Sequence, residues 1–431
     1  MKRIILILVA LLAVHAAWSQ PKPKVELKKN ITFSAGNSLA YPGPAQRRLT
    51  PAPEGKHPFY LSHFGRHGSR YMINRRDYET VLHVLQRADK HGKLSDKGRD
   101  VLRRVTLMYE DSQEKLGELT ELGIRQEKDI ARRMMERFPG LFEGDAVVEA
   151  HSTMVLRCVF SMENTLQEML SQYPKLRITH TASHADMHIL SNMDKTLLAK
   201  LNSPDLKKLY DDYCQEHRCW QRLTGSLFSD SVYFRREVNG ERLNYYLFRM
   251  AGSVQNTDMR RRLTLYDLFT DEEIYENWQM ENVFWFLGYS HSPLNGGQQP
   301  FSQRMLLRHI IAQADSCIAL PRPGITLRFG HETALLPLVC LMEIDSFGLP
   351  IDNLNQLEKR GWVNYRVFPM GANIQMVFYR RDQADDDVLV KVLLNENEAT
   401  LPLKTDCAPY YHWRDVRDYY LRKLDSYREE E

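Results

Sequence analysis

The chain alternates between short runs of apolar residues and longer segments in which apolar residues recur at helical spacing. The short runs predict strands at 58–64, 146–150 and 176–181, and the periodic segments predict helices at 77–91, 96–116, 122–138 and 155–171. Thr120 is a good N-cap for the third of these helices. Strands that alternate with helices in this way are typical of an α/β fold with a largely parallel sheet.

The pattern changes between about 190 and 300, where helical segments dominate, aromatic residues are frequent and a loop at 292–297 contains two glycines. After this stretch the pattern predicts a helix at 302–319, strands at 324–329, 372–379 and 388–394, and a charged helix from about 413. We therefore predict a mostly parallel sheet flanked by helices, built from residues 20–190 and 300–431, with a mainly α-helical insertion at 191–299. The insertion should cover the functional site, because it leaves one strand end and returns to another.

The composition is that of an ordinary soluble protein. The 431 residues are 43% hydrophobic and 26% charged, and the chain is long enough for two units with sizeable cores. A formal net charge of +3 gives no argument for a nucleic-acid or membrane partner. If the protein binds anions, the positive charge that attracts them must be concentrated locally.

The first residues predict a signal peptide at 1–19, and hence export to a periplasm or to the medium. Lys2 and Arg3 precede an apolar run at 4–14, and small residues such as Ala17 and Ser19 suit a signal peptidase. An uncleaved membrane anchor is the alternative, but the run is short for a bilayer. No later stretch is long and apolar enough to span a membrane, so no membrane partner is expected after cleavage.

Export makes disulfides permissible among the six cysteines. Cys214 and Cys219 are close together in a polar segment and are the pair that we expect to be bonded. The sequence does not choose among the other pairings, and no CxxC pairs indicate zinc.

The most informative positions are Arg66-His67-Gly68-Ser69-Arg70, directly after the first predicted strand. Arginine presents a planar fork of donors that matches the oxygens of a phosphate. Histidine is both a nucleophile and a proton carrier near neutral pH, and glycine lets the backbone bend tightly. A basic surface turn is the alternative, but the grouping favours a site that holds a phosphate and attacks it.

Two other strand ends carry residues that suit the same chemistry. One is the stretch 151–157 and the other is 330–332. In open α/β sheets ligands bind at the carboxyl ends of strands, so residues that are distant in sequence can converge there.

These stretches together resemble the histidine acid phosphatases, which form branch 2 of the histidine phosphatase superfamily. The stretch 66–70 looks like the family's RHGxR signature, 119–123 resembles its Leu-Thr-x-x-Gly segment, 151–158 resembles the segment with a further phosphate-binding arginine, and 329–338 resembles its C-terminal motif. The resemblance runs from about 56 to about 380 in the family's order and is weakest in the insertion.

Within the family, the chain looks most like the multiple inositol polyphosphate phosphatases, a group that includes some phytases. The sequences at 66–71, 330–338 and 368–373 favour this group. One feature departs from it: the group usually has His-Ala-Glu, whereas this chain has His331-Glu332-Thr333, a layout nearer the His-Asp-Thr of other members. The departure bears on the reach of the proton donor and on substrate preference.

The resemblance implies a role for each matched residue. His67 would attack phosphorus and form a phosphohistidine, and Glu332 would protonate the leaving alkoxide and then activate water. The residues that would hold the phosphoryl oxygens are Arg66, Arg70, Arg157 and His331. Because these groups can replace a metal in stabilising charge, no metal or other cofactor is expected.

Two of these residues have plainer alternatives. Arg157 lies on a predicted helix and could be a surface cation. Glu332 could be a charge that is favoured only by a helix N-terminus. The matched motifs favour the functional interpretation of both residues.

Additional substrate contacts are expected from Arg75 and Arg76, which are nearest the signature, and from Asp186. His184, Asp186 and His188 alternate and on a strand would share a face, which could bind a metal. A polar rim near the pocket is the favoured interpretation of this trio. Other basic groups, at 207–208, 235–236 and 260–262, are expected to be mostly solvated.

The resulting hypothesis is an exported phosphomonoester hydrolase that acts through a phosphohistidine on a small phosphorylated substrate. The resemblance favours an inositol polyphosphate such as phytate. A broad-specificity acid or sugar phosphatase is the first alternative. A non-catalytic binder of phosphorylated ligands is a remote one, because neither the nucleophile nor an arginine of the signature is missing.

Overall fold

The computed structural model describes residues 22–191 and 194–428. The signal peptide predicted at 1–19 lies outside the described residues. Within those two ranges, no helix combines the length and the apolar character needed to cross a membrane.

A central sheet of eight strands organises the described chain. The strands are β1 (His57–Arg66), β2 (Val147–Ser152), β3 (Arg177–Thr181), β4 (Gly324–Gly330), β5 (Asn373–Arg380), β6 (Leu389–Leu394), β7 (Asn397–Glu398) and β8 (Tyr410–His412). Their order across the sheet is β3-β2-β4-β1-β5-β6-β7, with β8 also paired to β6. Strands β3, β2, β4 and β1 are parallel, whereas β5 to β8 add antiparallel pairings.

Helices cover this sheet and extend beyond it. In chain order they are α1 (Pro23–Lys29), α2 (Arg75–Lys90), α3 (Asp96–Asp111), α4 (Glu121–Arg137), α5 (Leu156–Gln172), α6 (His184–Leu190), α7 (Lys195–Lys200), α8 (Pro204–Glu216), α9 (Gln221–Ser226), α10 (Ser231–Glu237), α11 (Gly240–Ser253), α12 (Asp271–Tyr289), α13 (Arg304–Ile318), α14 (Glu332–Leu341), α15 (Asn364–Val367) and α16 (Trp413–Asp425).

The predicted α/β class is confirmed, but the sheet is mixed rather than mostly parallel, because four of its seven strand pairings are antiparallel. Most predicted elements begin and end within one or two residues of the observed ones. The helix predicted at 96–116 is an exception, because α3 ends at Asp111. Glu114 and Gly117 beyond it have φ of 62° and 73°, a left-handed conformation that a continuing helix does not tolerate.

The two faces of the sheet pack against different helices. On one face Leu61, Leu327 and Phe329 form a core with α4 and α5. On the other face Tyr60 and Phe64 form a larger core with α12, α13, α14 and α16. Alternate residues of β1 therefore serve both cores, which explains why this strand is apolar along most of its length.

A separate helical unit is assembled from two stretches of the chain. One hydrophobic cluster joins apolar residues of α2 and α3, such as Val81 and Val105, to residues of α9 to α11, such as Leu223 and Leu247. Helix α12 of the predicted insertion contributes Ile274 to this cluster, but Val283 and Phe286 further along it pack in the core beside the sheet. The boundaries predicted at 190 and 300 thus do not separate the cores, because periodicity identifies the apolar face of a helix but not its partner.

The disulfide expected between Cys214 and Cys219 is not formed, and all six cysteines are free thiols. Cys219 Sγ instead lies 3.2 Å from Asn277 Nδ2 and 3.8 Å from the carbonyl oxygen of Glu273, both on α12. Proximity in sequence did not predict this partner, because the polar segment turns one thiol toward a neighbouring helix.

Candidate active site

The parallel pairing of β1 with β4 brings two of the sequence motifs together. Arg66, the last residue of β1, pairs with Gly330, the last residue of β4. The next backbone N–H, that of His67, donates to the carbonyl of Gly330 at 3.1 Å. His331 therefore follows β4 beside the loop that follows β1, at the carboxyl edge where α/β sheets bind ligands.

The N-terminus of α4 holds the signature loop closely. A Cβ at Gly68 would lie 2.7 Å from the carbonyl oxygen of Gly123, and a Cβ at Gly123 would lie 2.2 Å from that of Ser69. The Ser69 carbonyl accepts hydrogen bonds from the backbone N–H of Thr120 at 2.9 Å and from its hydroxyl at 3.1 Å. Thr120 also caps α4 as predicted, because its hydroxyl accepts from Gly123 N–H. Thr120 and Gly123 are thus needed for close approach of loop and helix.

Side chains that the sequence analysis missed fix the rest of this loop. Gly68 N–H donates to Ser161 Oγ at 3.1 Å, and Ser69 N–H donates to Gln126 Oε1 at 2.9 Å. The Ser69 hydroxyl donates to Asn256 Oδ1 at 2.8 Å, so the predicted insertion does reach the loop. These residues belong to α4, α5 and a turn after α11, and only their register along those elements could have indicated them.

The His67 ring is fully buried and oriented by its own loop. Its Nδ1 lies 2.9 Å from the Gly68 carbonyl oxygen, which can only accept, so the proton is on Nδ1 and the lone pair is on Nε2. Nε2 has no hydrogen-bond partner among the described residues. Burial lowers the pKa of His67 well below its usual range, and the charges of Arg66 and Arg70 lower it further. The imidazole is therefore neutral at neutral pH, with its nucleophilic nitrogen free.

Three guanidinium groups surround this nitrogen. Arg66 donates to the Phe368 carbonyl and to Asn37 Oδ1, each at 2.6 Å. Arg70 donates to the carbonyl of Tyr71 at 3.0 Å. The Nε atoms of Arg70 and Arg157 are buried and have no hydrogen-bond partner in the described chain. Buried N–H groups of guanidinium side chains that lack an acceptor favour the binding of an anion between them.

His331 and Glu332 enter the same cluster from the start of α14. The His331 ring lies edge-on to His67, with the ring centroids 5.6 Å apart, and burial lowers its pKa to about 4. Glu332 Oε2 lies 3.0 Å from Arg66 Nε and 3.8 Å from His67 Nε2. Burial alone would raise the pKa of Glu332, but Arg66 and Arg70 outweigh it and bring the pKa to about 2. The His-Glu-Thr layout therefore still brings a carboxylate to the nucleophile.

Residues 61–395 match the family model described as the histidine phosphatase superfamily, branch 2. The chain belongs to this family. The resemblance stated from the motifs is thereby confirmed.

Known relatives of this histidine phosphatase agree with the assignment. The chain is 23% identical to multiple inositol polyphosphate phosphatase 1 of Gallus gallus over 390 residues, which cover 86% of this chain and 82% of the relative. It also shares the fold of the Bifidobacterium longum multiple inositol polyphosphate phosphatase, solved with inositol hexasulfate, at a TM-score of 0.76 and 15% identity, covering 90% and 97% of the two chains. For the phytase from D. castellii the TM-score is 0.70 at 15% identity, covering 96% and 90%.

The histidine phosphatase cluster could in principle attract a metal as well as an anion. Donor atoms of His67, His331 and Glu332 lie within 4.8 Å of one another. Arg66 and Arg70, however, place positive charge directly beside them. A cation would be repelled there and a phosphate attracted, so the donor set fits a phosphoryl group better than a metal.

Two residues predicted to contact substrate lie outside this phosphatase cluster. Arg75 Nη1 lies 3.1 Å from Gln113 Oε1 on the surface of the helical unit. Asp186 forms a capping box with Ser183, the N-cap of α6, and its Oδ1 lies 2.9 Å from His151 Nδ1. His184, Asp186 and His188, the three residues that could have bound a metal on a strand, lie on helix α6. The alternation of side chains along a strand therefore does not place them on one face.

Arg76, the third predicted contact, lines a cavity of about 640 Å³ in the helical part of the phosphatase. Asn37, which binds Arg66, lines the same cavity, and so does Arg249. Arg249 lies close enough to Arg70 to lower its pKa. The cavity is therefore adjacent to the catalytic cluster.

Proposed function

We propose that this protein hydrolyses phosphomonoesters through a phosphohistidine at His67 and that its substrates are inositol polyphosphates such as phytate. The observation that carries the proposal is the buried, unpartnered Nε2 of His67 beside Arg66, Arg70 and Arg157. A neutral nucleophilic nitrogen inside a ring of cations suits attack on a phosphate dianion. The names of the relatives supply the substrate class.

In the first step His67 Nε2 attacks phosphorus, a P–N bond forms and the P–O bond to the alcohol breaks. The negative charge on the phosphoryl oxygens is stabilised by Arg66, Arg70, Arg157 and His331. Glu332 gives its proton to the departing alkoxide, which leaves as an alcohol. In the second step Glu332 takes a proton from water, the water oxygen attacks phosphorus, and the P–N bond breaks to release phosphate and free His67.

The substrate itself would load the proton onto Glu332. In the free site Arg66 and Arg70 hold the pKa of this carboxyl at about 2, so it is ionised. A bound phosphate dianion places two negative charges among the same arginines and raises the pKa of Glu332. The acid is then protonated only when a leaving group is present, and it is ionised again once the alcohol has left.

The cavity beside the cluster supports a polyphosphorylated substrate. Four arginines line it, namely Arg76, Arg218, Arg242 and Arg249. Arg76 makes no hydrogen bond or ion pair with the described residues, so its charge is free to meet a second phosphate. The cavity's volume of about 640 Å³ suits a ring that carries several substituents.

One observation favours the broader phosphatase as a second candidate. The carboxylates of Asp211, Glu241 and Glu281 line the same cavity and offset much of its positive charge. A pocket of balanced charge would accept the hydroxyl groups of a sugar as well as additional phosphates.

The deciding experiment compares kcat/KM for phytate with that for a simple sugar monophosphate. We expect phytate to be preferred and the Arg76→Ala variant to lose more activity on phytate than on the monophosphate. Equal loss on both substrates, or a preference for the monophosphate, would favour the broader phosphatase.

His67→Ala should abolish turnover of both substrates, whereas His83→Ala, at an exposed position, should not. Activity in His67→Ala would contradict the phosphohistidine mechanism.

We further propose that the protein is exported. The basic start, the apolar run at 4–14 and the small residues before Gln20 support this proposal. N-terminal sequencing of protein recovered outside the cytoplasm should begin close to residue 20; a mature chain that retains Met1 would contradict it.

A further inference from the structure

Three side chains with different donor atoms meet at the edge of the molecule opposite the phosphatase site. The donor atoms of Asp406, Cys407 and His412 all lie within 4.8 Å of one another. His412 is in β8 and pairs with Leu389 at the start of β6. Leu394, at the other end of β6, pairs with Ile374 at the beginning of β5, which is near the catalytic cluster. The two sites are thus at opposite ends of the sheet.

We propose that Asp406, Cys407 and His412 form a binding site for a zinc-type divalent cation. A thiolate, an imidazole and a carboxylate are three ligand types that zinc takes in proteins. Tetrahedral coordination with bonds of about 2.0–2.3 Å places ligand atoms roughly 3.2–3.8 Å apart. His412 Nε2 lies 3.1 Å from Asp406 Oδ1, and Cys407 Sγ is less than 4.8 Å from a donor atom of each of these residues, so only small side-chain movements are needed.

A fourth residue orients the imidazole for this role. His412 Nδ1 lies 2.6 Å from Asp387 Oδ1, which directs the other ring nitrogen, Nε2, toward Asp406. A carboxylate behind a histidine is the usual outer partner of a metal-bound imidazole. Asp387 is itself fixed, because its Oδ2 lies 3.0 Å from Nζ of the buried Lys56, the residue before β1.

The position of the three ligands determines what a bound ion would do. Asp406 is exposed, and Cys407 and His412 are partly exposed, so an ion can enter from solvent and water can complete its coordination. On binding, Cys407 loses its thiol proton and a metal–sulfur bond forms. The ion would join the loop at 405–409 to β8 and to the start of α16, and it would therefore stabilise the fold without taking part in catalysis.

The test uses the full protein after treatment with a chelator, titrated first with Zn²⁺ and then with Co²⁺. We expect one zinc to bind and the melting temperature to rise by about 2 °C or more. Co²⁺ should give a thiolate-to-metal charge-transfer band in the near ultraviolet. Cys407→Ser and His412→Gln should each lose the equivalent of zinc, the band and the thermal shift. Cys219→Ser, which removes a partly exposed thiol elsewhere, should keep all three.

Either of two results would overturn the proposal. One is the absence of stoichiometric zinc binding in the wild-type protein. The other is zinc binding with an unchanged cobalt band in both Cys407→Ser and His412→Gln, which would assign the ion to another site. Because the catalytic cluster is at the other end of the sheet, both variants should retain wild-type kcat/KM, and this shows that they are folded. If Cys407→Ser does not fold, His412→Gln decides alone.

Discussion

At the scale of single residues, the central feature is the protonation of two buried side chains: the imidazole of His67 is neutral, whereas the carboxyl group of Glu332 is ionised. His67 is buried, and its proton is held on Nδ1 by the Gly68 carbonyl. Glu332 is also buried, yet the neighbouring guanidinium groups keep it ionised. The motifs singled out both residues and the structure places them together, but their protonation states follow from contacts that only the folded chain provides.

Glu332→Gln tests the proton-donor role. The amide cannot protonate an alkoxide, so kcat for an inositol or sugar phosphate should fall by about 10²–10⁴-fold. An aryl phosphate has a better leaving group and should be affected much less, which makes it the control within the same variant. Steady-state kinetics on both substrates measure the difference, and equal losses would argue against Glu332 as the general acid.

At the scale of elements, α4 and the loop after β1 act as one piece. The first turns of α4 meet the backbone of this loop through Thr120, Gly123 and Gln126. The Leu-Thr-x-x-Gly resemblance indicated the helix and its cap, and both are where the pattern predicted them. Ser161 and Asn256 could not be predicted, because a hydrogen bond between distant elements leaves no periodic trace in a sequence.

Gly123→Ala tests this contact between helix and loop. Its Cβ would lie 2.2 Å from the Ser69 carbonyl oxygen and 2.9 Å from the Ser69 nitrogen, so the loop must move. A shift of this kind should reduce kcat/KM by about 100-fold, because the nucleophile is displaced from its aligned position. Gly140→Ala is the matched control, since a Cβ there meets nothing within 4 Å. Near-wild-type kinetics in Gly123→Ala would show that the loop tolerates displacement.

At the scale of the whole molecule, the α/β class follows from the alternation of patterns, but the assembly of the helical unit does not. Residues of α2 and α3 pack with α9 to α11, although more than a hundred positions separate them in sequence. Amphipathic helices predict that a face will be buried and leave open which surface buries it. No pattern in the sequence indicated that His63 and Arg328 would be fully buried, or that the partly buried His309 would lie close enough to Arg328 for its pKa to be lowered.

His309→Gln tests the partly buried histidine. Burial and the charge of Arg328 lower the pKa of His309 to about 4 in the folded protein, against the usual value of 6.5 for histidine. Between pH 6.5 and 4 the unfolded chain binds a proton that the folded chain does not, so the wild-type protein loses stability as pH falls through this window. The glutamine variant lacks this loss.

The measurement is the melting temperature of variant and wild type between pH 7 and pH 4.5. We expect the difference, variant minus wild type, to increase by about 2 °C as the pH falls. His83→Gln, at an exposed position, is the control and should run parallel to the wild type. A pH-independent difference for His309→Gln would contradict the assigned protonation state.

The guanidinium cluster around His67 has a consequence for the conditions in which the enzyme works. A polyphosphorylated ring is a strong chelator of divalent ions, so an enzyme that relied on Mg²⁺ or Zn²⁺ to neutralise phosphate would compete with its own substrate for the ion. Here the neutralising charge is attached covalently to Arg66, Arg70 and Arg157. High concentrations of a chelating substrate, or swings in the supply of free metal ions, would therefore leave the charge stabilisation at His67 unchanged, even where they strip an ion bound elsewhere on the protein.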